Sequence, residues 1–303
     1  MKTKMNHQDK LKTKLILNPF AGKKRLDKEI ETIRKILTSE KLDFELAFTQ
    51  KPKDGIYLAQ KAVEEGFNLI VAVGGDGTIN EVVNGIIDFE EVILGIIPIG
   101  LGNDFAWMIG LGPKDIEKAC KTLSNGTVKK IDVGVVNNRY FVNGVGIGFD
   151  AQVAKERLKY KGMLSGLGLY LYAVMKTLFK YKSIQANIKL DDKEININLL
   201  LIAIGVGKRC GGGFLLTPEA ELDDGLFDVC VIQQIGKLKA LCSLPKTLKG
   251  IHTTMPEVNM YRAKQIIVNL PVPLTGHVDG EIIEGNTYQI GLLPKKLKVM
   301  YPI

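Results

Sequence analysis

The stretch VAVGGDGTINEVVNGI, from Val71 to Ile86, decides the fold. Leu69–Val73 is a short apolar run of the kind that makes a buried strand. The chain leaves it through Gly74, Gly75 and Gly77, whose missing Cβ atoms let the backbone turn sharply and approach another molecule closely. Apolar residues then recur at helical spacing over Ile79–Ile87, and the helix is read as beginning near Thr78. Unpaired N–H groups and the helix dipole there favour an anion. Strand, glycine loop and helix together describe a phosphate site at the carboxyl edge of a parallel sheet, where open α/β folds bind ligands. Asp76 would repel a phosphate, and a divalent cation between the two removes the conflict. Neither GxxxxGK[ST] nor GxGxxG occurs. The loop by itself therefore leaves a plain strand-to-helix turn and a nucleotide site both open.

The next loop repeats the device. In IPIGLGNDFA, Ile97–Ala106, a buried strand gives way to two glycines, and Asn103-Asp104 reads as the cap of a helix. Around these loops, strand and helix patterns alternate: Lys14–Leu17 as strand, Leu26, Ile30, Ile33 and Leu37 at helical spacing, Phe44–Phe48 as strand, Asp54–Glu65 as helix, Leu94–Ile97 as strand, and a helix opened by Pro113 and closed by Gly126. Such alternation argues for βαβ units on a parallel sheet. From Ile131 the texture changes. Ile131–Val136 and Tyr140–Val145 flank Asn137-Asn138 as a hairpin, Ile188–Leu190 and Ile195–Leu199 alternate around Asp191-Asp192, and strands follow at Phe227–Ile232, Ile266–Leu270, Tyr288–Leu292 and Leu297–Tyr301. Helical insertions are read near 151–181 and 236–250. The expected domains are 14–130 and 131–303, with the last strand open to return to the first.

Composition narrows the function classes. With 303 residues and 46% hydrophobic content the chain can build a sizeable core. The net charge of +8 suggests an anionic partner, but no Lys/Arg stripe interleaved with aromatics appears, so nucleic acid is not expected. Cys120, Cys210, Cys230 and Cys242 are scattered without a CxxC, which fits a reducing cytosol and argues against zinc. No signal peptide is read, and the uncharged stretch Gly162–Met175 is too short to span a bilayer.

The motifs NPFAGKK (18–24), GGDGTINEVVNG (74–85), GLGNDFA (100–106), GGGFLLTPEAELDDGLFDV (211–229) and VDGE (278–281) resemble, in order and over nearly the whole chain, those of the bacterial diacylglycerol kinase-like lipid kinases. The resemblance implies an N-terminal α/β nucleotide domain, Rossmann-like with a parallel sheet, a C-terminal antiparallel β-sandwich, and a cleft between them. It implies ATP-dependent phosphorylation of a lipid hydroxyl, with a diacylglycerol-like alcohol as the acceptor. Carried over by position, Thr49, Gly74, Gly75, Asp76, Gly77, Thr78, Ile79 and Asn80 line the nucleotide. Asp224, with the carbonyls of Glu221 and Leu226, holds Mg²⁺, and Glu281 is the general base. Two positions depart: Leu101 stands where a Thr hydroxyl is usual near ATP, and Val206 where an Asn often precedes the glycine run.

The bland readings stand beside these. Asp279-Gly280 is a favoured hairpin turn; in an extended segment Asp279 and Glu281 would share a face and repel. His277 reads as a strand residue, and ELDDGLFDV as a turn whose oxygens would also suit a hard cation. Lys208 and Arg209 lean over phosphates or are simply solvated. Leu158–Lys182, apolar with basic flanks, reads as a buried helix or as an interfacial helix whose Lys155, Lys159 and Lys161 face anionic headgroups. The expected partners are thus a lipid substrate and anionic phospholipid headgroups at the inner membrane face of the cytoplasm, with a homodimer left open. An NAD kinase-like enzyme and a non-catalytic lipid or nucleotide sensor are the rivals.

Overall fold

The computed structural model describes residues 11–19, 26–112, 115–160 and 166–303, with only the backbone at Gly166 and Leu167. Most of NPFAGKK, Pro113 and Lys161 lie outside the described residues. The chain forms two units, Met1–Lys130 with Leu297–Ile303, and Ile131–Lys296.

In the first unit the elements are β1 (Thr13–Leu17), α1 (Asp27–Ser39), β2 (Phe44–Phe48), α2 (Asp54–Glu64), β3 (Leu69–Gly74), α3 (Asp76–Ile86), β4 (Ile93–Pro98), α4 (Asp104–Met108) and α5 (Ile116–Asn125). The strands pair in parallel in the order β2-β1-β3-β4. All six residues of β3 and all six of β4 are buried, as expected for strands covered on both faces. The amphipathic helices turn Ile33, Leu37, Ala59, Ala62, Val82 and Val83 inward. Residues Leu297–Ile303 return to this unit, and Lys298 and Val299 extend the sheet in parallel beside Ile93 and Leu94 of β4. Two helix starts differ from expectation. The third helix begins at Asp76 rather than near Thr78, which puts Gly77 inside its first turn. The fifth begins at Ile116, where the Asp115 carboxylate accepts the Lys118 N–H as a local cap.

β5 (Thr127–Val136) carries the chain into the second unit. There follow β6 (Arg139–Phe141), β7 (Gly144–Gly148), α6 (Phe149–Lys159), α7 (Gly166–Lys180), β8 (Ile184–Leu190), β9 (Lys193–Gly205), β10 (Phe227–Gln233), α8 (Lys237–Leu248), a short 3₁₀ turn, β11 (Val258–Ala263), β12 (Gln265–Val278) and β13 (Glu281–Tyr301). Pairing here is antiparallel. β9 runs beside β8 up to Leu199, then beside β7 and β10; β12 passes from β8 to β7 through a register break between Asn269 and Leu274. The circuit β7–β9–β8–β12 closes on itself around a core that includes Phe141, Ile188, Ile204, Phe227, Val268 and Tyr288. A second apolar cluster packs α6 and α7 on this sheet through Phe149, Val153, Ala173, Val174 and Leu178.

The expected strand Tyr140–Val145 is broken at Val142-Asn143, for a reason given below. Tyr288–Leu292 and Leu297–Tyr301 are parts of the one strand β13, and β11 was not read from sequence at all.

Candidate active site

In the first unit, the parallel registers align Leu17, Phe48, Val73 and Ile97, so Asn18, Thr49, Gly74 and Pro98 lie at one carboxyl edge. The Gly74 carbonyl accepts the N–H groups of Ile99 (3.0 Å) and Gly100 (3.2 Å), which draws the second glycine loop onto the first. A Cβ on Gly100 would lie 2.4 Å from the Gly75 Cα, so only glycine admits this backbone-to-backbone approach. Gly75 caps α3 in an extended conformation. The first-turn N–H groups of α3, which no helical carbonyl can reach, thus lie beside the bare backbone of Gly75 and Gly77.

Asp76 does something the sequence did not show. Its carboxylate accepts the Phe105 N–H at 3.1 Å and so caps α4 from another loop. Asn103 and Asp104 were expected to do this locally. Asn103 sits at the cap position with φ +53°, but its amide donates to the Gly100 carbonyl instead. Asp76 therefore carries a structural bond as well, and its loss would cost about 1 kcal/mol of local stability rather than none.

The expected nucleotide-lining residues divide. Gly75, Asp76 and Gly77 have surface to offer. Ile79 does not: its side chain is fully buried and its N–H bonds to the Gly75 carbonyl, so it belongs to the core. Thr78 is buried against Gly74, Asn80 is buried and takes the Asn84 amide, and Thr49 is buried with its N–H on the Leu17 carbonyl. Leu101 is 70% exposed, a high value for so large an apolar side chain.

In the second unit, Glu221, Asp224 and Leu226 lie on the loop that leads into β10. Asp132, fully buried on β5, clamps that loop: its carboxylate accepts the N–H groups of Gly225 and Lys295, each at 2.7 Å. Asp224 accepts the Leu226 N–H at 3.0 Å and pairs with the Arg262 guanidinium, whose Nε also lies 3.5 Å from buried Asp228. Burial first, and then the nearby Glu219 and Glu221, push the Asp228 carboxyl up to about 6, opposed by Lys208. Among the described residues no group of three or more His, Cys, Asp or Glu is arranged to hold a metal.

The hairpin of β12 and β13 carries the other candidates. Asp279 (φ +46°) and Gly280 (φ +87°) make its turn. The Asp279 carboxylate accepts three main-chain N–H groups, from Val142 (3.0 Å), Asn143 (3.0 Å) and Gly144 (2.9 Å). This takes those amides out of strand pairing and breaks the expected strand Tyr140–Val145 into β6 and β7. It also corrects the expectation that Asp279 and Glu281 share a face, because the turn separates them. Glu281, the first residue of β13, pairs with Arg139 at 2.5 Å. His277 bonds Asp150 at 3.2 Å, so it is an engaged, largely buried group.

Residues 12–136 match the diacylglycerol kinase catalytic domain family, and residues 143–301 the YegS C-terminal NAD kinase beta sandwich-like domain family. The chain is 30% identical over 272 residues to the diacylglycerol kinase of Bacillus subtilis (strain 168), covering 89% of each chain. It is 31% identical over 278 residues to that of Staphylococcus saprophyticus, covering 89% of this chain and 88% of the relative. The chain belongs to the diacylglycerol kinase family. A crystal structure from Bacillus anthracis str. Sterne, provisionally assigned as a diacylglycerol kinase, matches with a TM-score of 0.80 at 27% identity, over 96% of this chain and 97% of that one. The family is one of lipid kinases, and both of its domains are present here.

Within this diacylglycerol kinase family member, sequence reasoning missed Asp132, Arg139, Asp150 and Arg262. Asp132 left a signal: a carboxylate in the middle of the apolar run Ile131–Val136 must be hydrogen-bonded if it is buried. Arg139 and Arg262 left none, because an arginine in a strand reads as solvated until its partner is known. The basic residues singled out for a membrane are also accounted for differently. Lys155 pairs with Glu284, and Lys159 with Glu156, which Lys176 also holds at 2.7 Å.

Proposed function

We propose that the protein transfers the terminal phosphoryl group of ATP to the free hydroxyl of a diacylglycerol-like lipid, giving a phosphatidic acid and ADP. The observation that carries this reading is the cradle at Gly74–Gly77, where two glycine loops meet backbone to backbone at the N-terminus of α3. A Cβ on Gly75 or Gly100 would push the two loops apart, and N–H groups with a helix dipole suit a polyphosphate. The proposed nucleotide contacts are Gly75, Asp76 and Gly77 with the backbone of the loop, flanked by Thr49, Thr78, Asn80 and Leu101.

The chemistry asked of this chain is positioning and proton removal. As the lipid hydroxyl oxygen bonds to the terminal phosphorus, the bond from phosphorus to the bridging oxygen breaks and ADP departs. The hydroxyl proton passes to the Glu281 carboxylate, which Arg139 orients. The loop at 219–228 offers the oxygen donors that suit a hard cation, and the Arg262 guanidinium that pairs with Asp224 and lies 3.5 Å from Asp228 would have to yield to one. In this reading Asp224 and the carbonyls of Glu221 and Leu226 hold Mg²⁺. Bound there, or beside Asp76, the ion would offset negative charge.

Among the described residues no helix is long and apolar enough to cross a membrane. In this reading the lipid is met at a membrane surface. Exposed Phe179 at the end of α7 and exposed Leu238 at the start of α8 are joined by the Lys237 ammonium, which donates to the Phe179 carbonyl at 2.8 Å. With Lys180 and Lys182, they support peripheral binding at an anionic bilayer on the cytoplasmic side. Labelled ATP offered with 1,2-diacylglycerol, other lipid alcohols and NAD tests the proposal. Labelled phosphatidic acid is expected. Phosphorylation of NAD with no lipid product would overturn it.

A further inference from the structure

Two chain segments of the second unit meet at the turn between β12 and β13. The first begins with Arg139, directly after the left-handed pair Asn137 (φ +44°) and Asn138 (φ +67°), and runs beside β5 as far as Phe141 opposite Gly134. The second carries Glu281. Antiparallel pairing joins β7 to β12 up to Val145 opposite Val278, and β12 ends there. Asp279, the next residue, completes the joint. Its N–H donates to the Gly144 carbonyl at 3.0 Å, while its carboxylate accepts the amides of Val142, Asn143 and Gly144.

The two members of the ion pair stand on either side of this joint. Arg139 precedes the gripped amides, and Glu281 follows Asp279 across Gly280. Their side chains are 27% and 34% exposed, and an ion pair so open to water is weak, because solvent screens it and two long side chains must be ordered to make it. It cannot by itself fix where the Glu281 carboxylate stands. Asp279 can. Its three bonds are charge-assisted and run to main chain, which cannot swing away as a side chain does. The main chain it grips is itself anchored: Val142 and Asn143 are buried, and Phe141 beside them is fully buried in the core.

We infer that Asp279 is a positioning residue for the general base: it locks the turn before Glu281 to the segment after Arg139, and so sets where the Glu281 carboxylate meets the acceptor hydroxyl. The inference rests on the lipid kinase reading above and adds the residue that holds the base in place. Asp279 is not a second base, since its carboxylate is committed to three main-chain donors. Placement matters for such a group, because a shift of about 1 Å costs on the order of 10²-fold in rate.

The test uses the whole chain with Mg·ATP and short-chain 1,2-dioctanoylglycerol. Asp279→Asn tolerates the left-handed backbone and keeps one oxygen, and should lower kcat roughly 10-fold with both KM values within about twofold of the parent; Asp279→Ala should lower it roughly 100-fold. Introduced into Glu281→Gln, Asp279→Asn should change kcat by less than about twofold, because the base that it positions is already gone. General damage to the fold would lower both backgrounds alike. A second measurement needs no turnover. In protein labelled with ¹³Cδ-glutamate, the Glu281 signal, assigned by its loss in Glu281→Gln, should move in Asp279→Asn in the same direction as in Arg139→Gln. An Asn variant with the parent's kcat, an unmoved Glu281 signal, or an equal drop in both backgrounds would overturn the inference. If Glu281→Gln itself turns over like the parent, the reading of Glu281 as base fails, while the ¹³C signal still decides whether Asp279 holds its carboxylate.

Discussion

Replacing Asp279 by alanine removes one carboxylate and leaves three main-chain donors, Val142, Asn143 and Gly144, without their acceptor. A hydrogen bond to a charged group contributes about 1.5–3 kcal/mol when fully protected. These three share one carboxylate and are only part-buried, so water replaces much of each, and about 1 kcal/mol apiece is the reasonable figure. Alanine must also adopt the left-handed conformation that Asp279 holds at φ +46°, at a further cost of roughly 1 kcal/mol. The sum is about 4 kcal/mol for Asp279→Ala. Asp279→Asn tolerates the same backbone and keeps one oxygen, so about 1–2 kcal/mol is expected there. The single tryptophan, Trp107, lies in the other unit, so its fluorescence would report the wrong place. Amide hydrogen exchange over residues 139–148 reads the site directly. A 4 kcal/mol loss appears as exchange faster by roughly 10³-fold at Val142–Gly144, with the order Ala > Asn > parent. Exchange there within threefold of the parent in the Ala variant would show that the three bonds do not hold the turn.

Glu281→Gln retains shape but cannot take up the alcohol's proton, so kcat should fall on the order of 10²–10⁴-fold with little change in KM for ATP; turnover within a few-fold of the parent in a steady-state assay removes Glu281 from the mechanism. Because Asp228 holds its proton up to about 6 in the folded protein, against 3.8 as its ordinary value, its ionisation opposes folding. That opposition is absent below about pH 4 and complete above about pH 6, so Asp228→Asn should stabilise by about 1–2 kcal/mol at pH 8 and by nothing at pH 3.5. Thermal melts across this range decide it, and an Asn variant less stable than the parent at pH 8 contradicts the assignment. Phe179→Ser with Leu238→Ser should weaken sedimentation with anionic vesicles, whereas Lys155→Gln and Lys159→Gln, already ion-paired, should change it little. Equal loss from both pairs would return the lysines to the interface.

What the sequence determined was set by short-range regularities. The apolar runs of β3 and β4, the helical spacing of Ile33 and Leu37, and the glycines between them specify parallel strand–turn–helix units, because burial follows a period that a few residues display. The change of texture after Lys130 likewise marks the second unit without any tertiary information. The ordered motifs carried the family, since their spacing is a property of the chain. What the tertiary structure alone decided was which carboxylate serves which backbone. Asp76 caps a helix that Asn103 and Asp104 seemed placed to cap, Asp132 clamps a loop more than 90 positions on, and Asp279 splits a strand more than 130 positions back. Ile79, inside the glycine motif, proves to be core. Local propensity describes what a carboxylate could accept. The partner it does accept depends on which amides the folded chain has left unpaired within 3 Å, and that is fixed only when strands distant in sequence have been brought side by side.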